Sequence, residues 1–211
     1  MSQYDVKSAM SRTDRIPMME SFYTIQGEGY HAGKAAYFIR LAGCDVGCSW
    51  CDVKESWDTS SHGDFTVNEI LAPIDDVPAK IAVVTGGEPL MHDLTDLTAG
   101  LKSMGFSTHI ETSGAHNFSG EWDWICLSPK KFKQPVSEAY QLADELKIII
   151  YNQHDFEWAE SMAANVRTDC KLFLQPEWSK SQKLMPEIIS YVKNNPRWEI
   201  SLQVHKFMDI P

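Results

Sequence analysis

The stretch "RLAGCDVGCSWCD", residues 40–52, places three of the five cysteines of the chain within eight residues. Cys44, Cys48 and Cys51 follow one another with the spacing C-x3-C-x2-C, directly after the apolar run "AAYFIRLAG". Three cysteines in one short loop can turn their thiolates toward a single centre, and thiolates are ligands for zinc and for iron–sulfur clusters. The stretch therefore predicts a metal-binding loop at the end of a strand.

Two kinds of centre suit such a loop. Zinc usually takes four protein ligands in structural sites. The nearest histidine, His62, lies in the polar stretch "SSHGD", so one interpretation is a three-cysteine zinc site completed by His62 or water. The other is an iron–sulfur cube, in which three thiolates leave one iron open to a small molecule. Cys126 and Cys170 lie in apolar segments and are interpreted as buried packing residues.

Length and composition limit the class of protein. The 211 residues, 43% of them hydrophobic, suit a single domain spanning residues 1–211. The net charge of -10, from 29 acidic and 19 basic residues, argues against a duplex nucleic-acid binder, which needs a basic face. The sequence contains no long apolar run and no signal-peptide pattern, so we expect no membrane partner and a cytoplasmic protein. The odd number of cysteines argues against a secreted disulfide framework.

Apolar runs alternate with amphipathic stretches along the chain. The runs predict strands at residues 35–43, 80–87, 107–114, 123–129, 145–151, 170–176 and 198–207. The amphipathic stretches predict helices at residues 66–76, 93–105, 155–165 and 181–194. Thr66 and Glu69 form a capping-box pattern at the first helix, and Gly105 is a stop signal for the second. The alternation predicts parallel β-α-β units and an α/β fold.

Such a row of units closes partly or wholly into a barrel, whose ligands lie at the carboxyl ends of the strands. We therefore expect function in the polar residues just past the strands: Cys44, Gly86–Glu88, Thr112–Ser113, Ser128–Lys130 and Gln175–Glu177. Only "MDIP" follows the last predicted strand, so a carboxylate at Pro211 is expected at the mouth of the barrel, as a hydrogen-bond acceptor for substrate. The alternative is a frayed tail.

Two motifs together resemble the radical S-adenosylmethionine (SAM) enzymes. The first is the cysteine spacing, with the aromatic Trp50 just before the last cysteine. The second is "TGGEP", residues 85–89, which follows a predicted strand and which alone could be an ordinary glycine turn. The resemblance implies a [4Fe-4S] cluster held by Cys44, Cys48 and Cys51, with SAM chelating the open iron.

A longer series of segments resembles the 7-carboxy-7-deazaguanine synthase family of the radical SAM superfamily: IQGEG, FIRLAGC, CSWCD, TGGEP, IETSG, SPK, ELK, LQP and QVHKFMDIP. The resemblance implies an abbreviated, partial (β/α) barrel with mostly parallel strands, commonly a homodimer. It implies a carbon–nitrogen lyase that converts 6-carboxy-5,6,7,8-tetrahydropterin to 7-carboxy-7-deazaguanine with loss of ammonia, in queuosine and deazapurine biosynthesis. An electron donor such as flavodoxin or ferredoxin is implied as a partner.

The same resemblance implies roles for individual residues. Those expected to bind substrate are Ile25, Gln26, Gly27, Glu28, Arg40, Thr85, His205 and Pro211. Those expected to bind SAM are Trp50, Gly87, Glu88, Ser113, Ser128, Pro129, Lys130, Gln175, Pro176, Glu177 and Trp178. Glu28 would hold the guanidine-like edge of the pterin, and Arg40 would pair with its carboxylate. Structural alternatives are a hairpin turn for the Glu28 segment, a solvent-facing Arg40, a helix cap at Ser113, and a core or dimer-surface role for Trp178.

One position departs from the family pattern. Family members often carry a threonine or serine after the aspartate that follows the last cysteine, and its hydroxyl binds magnesium. Here the pair is Asp52-Val53, and valine has no oxygen for a hard cation. Either magnesium is absent, or Asp52, water and substrate oxygens hold it. Alternative functions are another small radical SAM enzyme, such as a glycyl-radical activating enzyme, and a zinc-stabilised binding module without catalysis.

Overall fold

The fold is built on one nine-stranded sheet, in a computed structural model that describes residues 15–211. The strands are β1 (Arg15–Ile25), β2 (Ala35–Leu41), β3 (Gly63–Thr66), β4 (Ile81–Gly86), β5 (Ser107–Thr112), β6 (Trp124–Leu127), β7 (Glu145–Ile150), β8 (Lys171–Pro176) and β9 (Trp198–Ile200). The helices are α1 (Val67–Leu71), α2 (Thr95–Ser103), α3 (Ser137–Leu142), α4 (His154–Ala163), α5 (Ser181–Asn194) and α6 (Val204–Met208).

The sheet is mostly parallel and open. Its strand order is β3-β1-β2-β4-β5-β6-β7-β8-β9. Each pair from β2 to β9 in this order is parallel, whereas β1 runs antiparallel to both β2 and β3. Because β3 and β9 remain edge strands, the barrel is partial. The α/β fold with mostly parallel strands, predicted from the alternation of segments, is confirmed.

Alternation along the strands separates core from pocket. On β2, Ile39 and Leu41 are buried in the hydrophobic core, whereas Phe38 and Arg40 line a cleft on the other face. On β7, Leu146 and Ile148 belong to the core, whereas Lys147 lines the cleft. Side chains of a strand alternate between its two faces. The apolar core therefore lies between the sheet and its helices, and the opposite face is free for polar residues.

The N-terminal capping box and the stop glycine are confirmed. The Thr66 hydroxyl accepts a hydrogen bond from the Glu69 backbone N–H, and the Glu69 carboxylate accepts one from the Thr66 N–H at 2.7 Å. Gly105 has a φ of +79°, a conformation that favours glycine and ends the helical path after α2. The first helix is shorter than predicted, since α1 ends at Leu71 and a 3₁₀ turn follows.

The predicted last strand, residues 198–207, is wrong beyond its first three residues. β9 ends at Ile200, and Val204–Met208 forms α6. The Val204 N–H donates to the carbonyl of Gly27 at 2.9 Å, which takes this segment away from the β8 ladder. The strands β1 and β3 and the short helix α3 were not predicted. No helix among residues 15–211 is long and apolar enough to cross a membrane.

Candidate active site

A cleft opens at the carboxyl ends of the parallel strands. Every residue that the resemblance assigned to the cluster, SAM, substrate or magnesium lines this cleft, except Pro129. They come from the β1–β2 loop, the cysteine loop, the ends of β4, β5, β6 and β8, and α6. The structure thus brings together residues separated by up to 186 positions in sequence, from Ile25 to Pro211.

The cysteine loop begins directly after β2 and carries the three clustered thiols into the cleft. Cys48 is buried, and Cys44 and Cys51 are half-buried. Burial raises the pKa of the Cys44 and Cys48 thiols, so their thiolates need a compensating positive charge. A turn from the Cys51 N–H to the Cys48 carbonyl, 3.0 Å, sets the spacing of the last two cysteines.

The three thiols of the cysteine loop suit an iron–sulfur cluster, in which each cysteine binds a different iron. Within residues 15–211, no group of three His, Cys, Asp or Glu side chains is placed to hold a single metal ion. His62, the expected fourth zinc ligand, donates instead to the Glu55 carbonyl at 2.8 Å and does not line the cleft. The donor set therefore fits an iron–sulfur cube.

Two glycines let the end of β4 pass directly beside the cysteine loop. A Cβ atom on Gly86, whose φ is +137°, would overlap the backbone of Leu41. A Cβ atom on Gly87 would overlap the Gly43 carbonyl and lie 3.0 Å from the Cβ of Cys44. The close approach of these backbones is the physical reason for two consecutive glycines. The "TGGEP" segment is thus more than an ordinary turn.

Glu88 joins the ends of β4 and β5. Its carboxylate is buried and accepts hydrogen bonds from the Thr112 hydroxyl at 2.5 Å, the Ser113 hydroxyl at 2.5 Å and the Ser113 N–H at 2.8 Å. Its own N–H donates to the Gly43 carbonyl at 2.8 Å. No helix begins at Ser113, so the helix-cap interpretation of this serine is wrong. Glu88 fixes three segments of the cleft wall relative to one another.

A buried lysine lies at the floor of the cleft. Lys147 on β7 donates to the Glu28 carboxylate at 2.5 Å and to the Glu111 carboxylate at 2.9 Å. The second oxygen of Glu28 accepts from the Gln203 amide at 2.8 Å, and Gln26 donates to Glu111 at 2.9 Å. Burial opposes the charge of Glu28, but the Lys147 ammonium and the hydrogen bonds outweigh it and lower its pKa to about 2.

Sequence reasoning missed Lys147, Glu111 and Gln203 as site residues. A signal was present, because a lysine inside the apolar run "ELKIIIY" must either reach solvent or find a buried partner. Its partners could not be read from the sequence, since Glu28 and Glu111 are 119 and 36 residues away from it. Phe22 and Phe38, stacked with ring centroids 5.6 Å apart, also line the cleft and were not predicted.

Arg40 lies in the cleft wall and already has an acidic partner. Its Nε donates to the Glu20 carboxylate at 2.7 Å, and its guanidinium lies 5.8 Å from the centre of the Phe22 ring. Its side chain is only 19% exposed, which argues against the solvent-facing alternative. A guanidinium has five N–H donors, so four remain for a second anion.

The Asp52 side of the cleft is held by α6. The Asp52 carboxylate accepts from Lys206 at 3.0 Å, and Lys206 also lies over the Trp178 ring, 4.8 Å from its centre. His205, one residue earlier, packs on Gly27. Pro211 lines the cleft, and its carbonyl oxygen accepts a hydrogen bond from the Thr24 hydroxyl at 3.4 Å.

The chain is similar to known proteins both in sequence and in fold. Residues 25–120 match the family model described as a 4Fe-4S single cluster domain. The chain is 56% identical to 7-carboxy-7-deazaguanine synthase of Flavobacterium psychrophilum, over 98% of each chain, and 45% identical to that of Synechocystis, over 94% of this chain and 95% of the relative. The crystal structure of QueE from Escherichia coli superposes with a TM-score of 0.79 at 33% identity, covering 89% of this chain and 93% of that one.

A three-cysteine loop at the carboxyl edge of an open, mostly parallel β/α sheet defines the class as radical SAM enzymes, whose cofactors are a [4Fe-4S] cluster and SAM. Within that class, the chain belongs to the 7-carboxy-7-deazaguanine synthase family. The resemblance seen in the sequence is confirmed. The matches to a 4Fe-4S domain and to this family favour an iron–sulfur cluster over the zinc site of a binding module.

Proposed function

We propose that this chain converts 6-carboxy-5,6,7,8-tetrahydropterin to 7-carboxy-7-deazaguanine with release of ammonia. The observation that carries the proposal is that one cleft gathers the cysteine loop, the Ile25–Glu28 segment and α6 in a member of this family. When bound, the cluster and SAM would supply the radical that starts the rearrangement. Cys44, Cys48 and Cys51 would hold the cluster.

On the cofactor side, the chain would bind SAM at the ends of β4, β5, β6 and β8. Gly87 lines the cleft, and its lack of a side chain lets the end of β4 pass beside Gly43 and Cys44 of the cysteine loop. Lys130, half-buried near the cysteine loop, donates to the hydroxyl of Ser128 at 2.7 Å and lies 5.9 Å from the centre of the Trp50 ring. This side of the cleft therefore offers the side chains of Lys130 and Ser128 to a ligand. Pro129 would act only through the position of its neighbours.

On the substrate side, the floor and wall of the cleft carry opposite charges. Glu28 and Glu111 would accept hydrogen bonds from the amino and ring N–H groups of the pterin. Arg40, with N–H groups beyond the one that Glu20 uses, would bind the carboxylate of the substrate. Gln26, Thr85 and His205 would complete the pocket. This polarity suits a molecule with an N–H-rich edge and an anionic substituent.

Magnesium would have a weak site in this chain. Asp52 supplies one carboxylate, which already accepts from Lys206. Val53 supplies no oxygen, and magnesium favours oxygen ligands in octahedral geometry. Water and substrate oxygens would have to provide the remaining ligands.

A small electron-carrier protein, such as a flavodoxin or ferredoxin, would be the reductant, and the enzyme would act as a homodimer. Exposed apolar side chains near the mouth of the cleft, including Phe207 at 72% and Met208 at 45%, support a surface for self-association. Light scattering of the purified protein tests the dimer. Cluster reduction by each type of carrier, followed spectroscopically, tests the reductant.

The function is tested by anaerobic turnover. The protein, reconstituted with iron and sulfide, is given SAM, a reductant and 6-carboxy-5,6,7,8-tetrahydropterin, and the deazapurine is measured by mass spectrometry. We expect product and ammonia in equal amounts, with SAM regenerated. A protein that cleaves SAM but gives no deazapurine would contradict the proposed substrate, and a colourless, zinc-containing protein would contradict the cluster.

A further inference from the structure

The floor of the cleft contains a buried ammonium between two carboxylates. The side chain of Lys147 is only 3% exposed, and its Nζ contacts Glu28 from the β1–β2 loop and Glu111 from β5. Each carboxylate gives one oxygen to Lys147 and the other to an amide, from Gln203 and Gln26 respectively. Both carboxylates line the cleft. Lys147 therefore connects the two acidic groups that face a ligand.

The chain positions this lysine through the strand register. Glu111, Cys126 and Glu145 form one row across β5, β6 and β7. Lys147, two residues after Glu145 on the same face of β7, extends from the next row to reach Glu111 at 2.9 Å. The register of three parallel strands thus places the ammonium beside this carboxylate.

The charges around Lys147 keep it protonated. The titratable groups facing it are Glu28 from the β1–β2 loop, Glu111 from β5, Cys126 from β6 and Glu145 from β7, with His205 of α6 near Glu28 and Lys130 after β6. Burial opposes the ammonium, yet the surrounding acidic groups raise the pKa of Lys147 well above its ordinary value. The Glu145 carboxylate has other hydrogen-bond partners, because it accepts from the Tyr30 N–H and from the Trp124 indole N–H.

Without the Lys147 ammonium, the protonation of the Glu28 and Glu111 carboxylates would change. Two half-buried carboxylates with no cation between them repel each other, which favours the uptake of one proton by the pair. A protonated carboxyl loses acceptor capacity toward the N–H groups of a ligand. The ordering of both side chains would also be lost, because each now has a single anchoring amide.

We infer that Lys147 is a positioning residue for the substrate: it holds Glu28 and Glu111 ionised and oriented, so that their remaining lone pairs face the N–H edge of the pterin. The inference rests on the proposed function and deepens it. Lys147 itself contacts no reacting atom in this scheme. Its effect is expected in substrate affinity and in the pH dependence of that affinity.

The test is the binding of 6-carboxy-5,6,7,8-tetrahydropterin to the reconstituted enzyme, measured anaerobically at several pH values between 6 and 8.5. In Lys147→Met, we expect affinity at the acid end to fall about tenfold or more, as when a hydrogen bond to a charged group is broken. Affinity should then recover as pH rises, because the shared proton leaves. The unmodified enzyme should show no such recovery. Iron content should remain near that of the unmodified enzyme, which would show that the fold and the cysteine loop are intact.

A double variant keeps the test decisive if Lys147→Met folds poorly. Lys147→Met/Glu111→Gln removes one positive and one negative charge, so it leaves the net charge of the floor unchanged. Its pterin affinity is compared with that of Glu111→Gln alone. We expect the double variant to bind more weakly. Equal affinities, or a Lys147→Met enzyme with unchanged affinity and an unchanged pH profile, would overturn the inference alone. Failure of the unmodified enzyme to bind the pterin would overturn the proposed function as well.

Discussion

Gly27 and His205 pack so closely that a methyl group on Gly27 would overlap the His205 ring. The contact is reinforced by the hydrogen bond from the Val204 N–H to the Gly27 carbonyl, 2.9 Å. It joins the β1–β2 loop to α6, the two segments that flank the expected pterin site. Gly27 has no positive φ, so its requirement for glycine comes from this contact and not from backbone strain.

Gly27→Ala should therefore displace α6 and weaken pterin binding while leaving the cluster intact. We expect affinity to fall about tenfold, because a shift of about 1 Å in a substrate-positioning segment is costly. The measurement is pterin binding together with iron content. Gly100→Ala, in α2, is the matched control, since its methyl would meet the flexible end of Leu71 and approach the Val67 side chain, both in α1 and outside the cleft. Equal pterin affinities in the two variants would contradict the prediction.

Cys48→Ala should abolish stable cluster loading, and the same result is expected for Cys44→Ala and Cys51→Ala. Each thiolate would bind a separate iron of the cluster, so no remaining residue can replace it. Iron and sulfide content and visible absorbance after anaerobic reconstitution provide the measurement. Cys170→Ala serves as control, because this thiol is buried in the core near α4 and β8, outside the cleft. Full iron loading of Cys48→Ala would refute the assignment.

Buried histidine should make the fold less stable in mild acid. Burial, assisted by the neighbouring His31, lowers the pKa of His109 from 6.5 to about 4. The folded state thus disfavours the proton that the unfolded chain accepts, so stability is lost as pH falls from about 6.5 to about 4. The loss is about 3 kcal/mol at most. Unfolding in urea at a series of pH values measures it.

His109→Gln should reduce the slope of the unfolding free energy against pH in this window. The exposed His154, at the start of α4, provides the control His154→Gln, which should keep the slope of the unmodified protein. An unchanged slope in His109→Gln would mean that another group titrates there.

Val53→Thr should increase the response of turnover to magnesium. The added hydroxyl supplies an oxygen beside Asp52, where the present side chain offers none. Initial rates against magnesium concentration, in both proteins, provide the measurement, and Val53→Ala is the matched control without an oxygen. A large, saturable magnesium requirement in the unmodified enzyme would show that another ligand set exists.

Local patterns predicted the parts of the site that depend on the backbone. The cysteine loop follows its strand as expected, and the glycines of "TGGEP" are explained by the close passage of Gly86 and Gly87 beside that loop. These features are encoded by neighbours in sequence. The same is true of the capping box at Thr66 and of α5, which spans the predicted residues 181–194.

Contacts between distant segments could not be predicted in the same way. The segment "SLQVH", residues 201–205, alternates polar and apolar residues as a strand does, but the chain turns into α6 at Val204, whose N–H donates to the distant Gly27 carbonyl. The role of Lys147 depends on Glu28 and Glu111, which no local pattern links to it. Glu20 was likewise not expected as the partner of Arg40, because the register of β1 against β2 brings them together.

Because the sheet is open, its strands alone do not fix the width of the pocket. In a closed β-barrel, the number of strands and their stagger determine the diameter of the interior. Here the β1–β2 loop meets the segment that follows β9 instead, through the hydrogen bond from the Val204 N–H to the Gly27 carbonyl and one from the Gly29 N–H to the Ser201 hydroxyl, 2.9 Å. Insertions in either segment would widen or narrow the pocket without altering a single strand pair. Loop changes could thus alter the size of the substrate that the pocket accepts, while the cysteine loop and the strand ends that bind the cofactors stay the same.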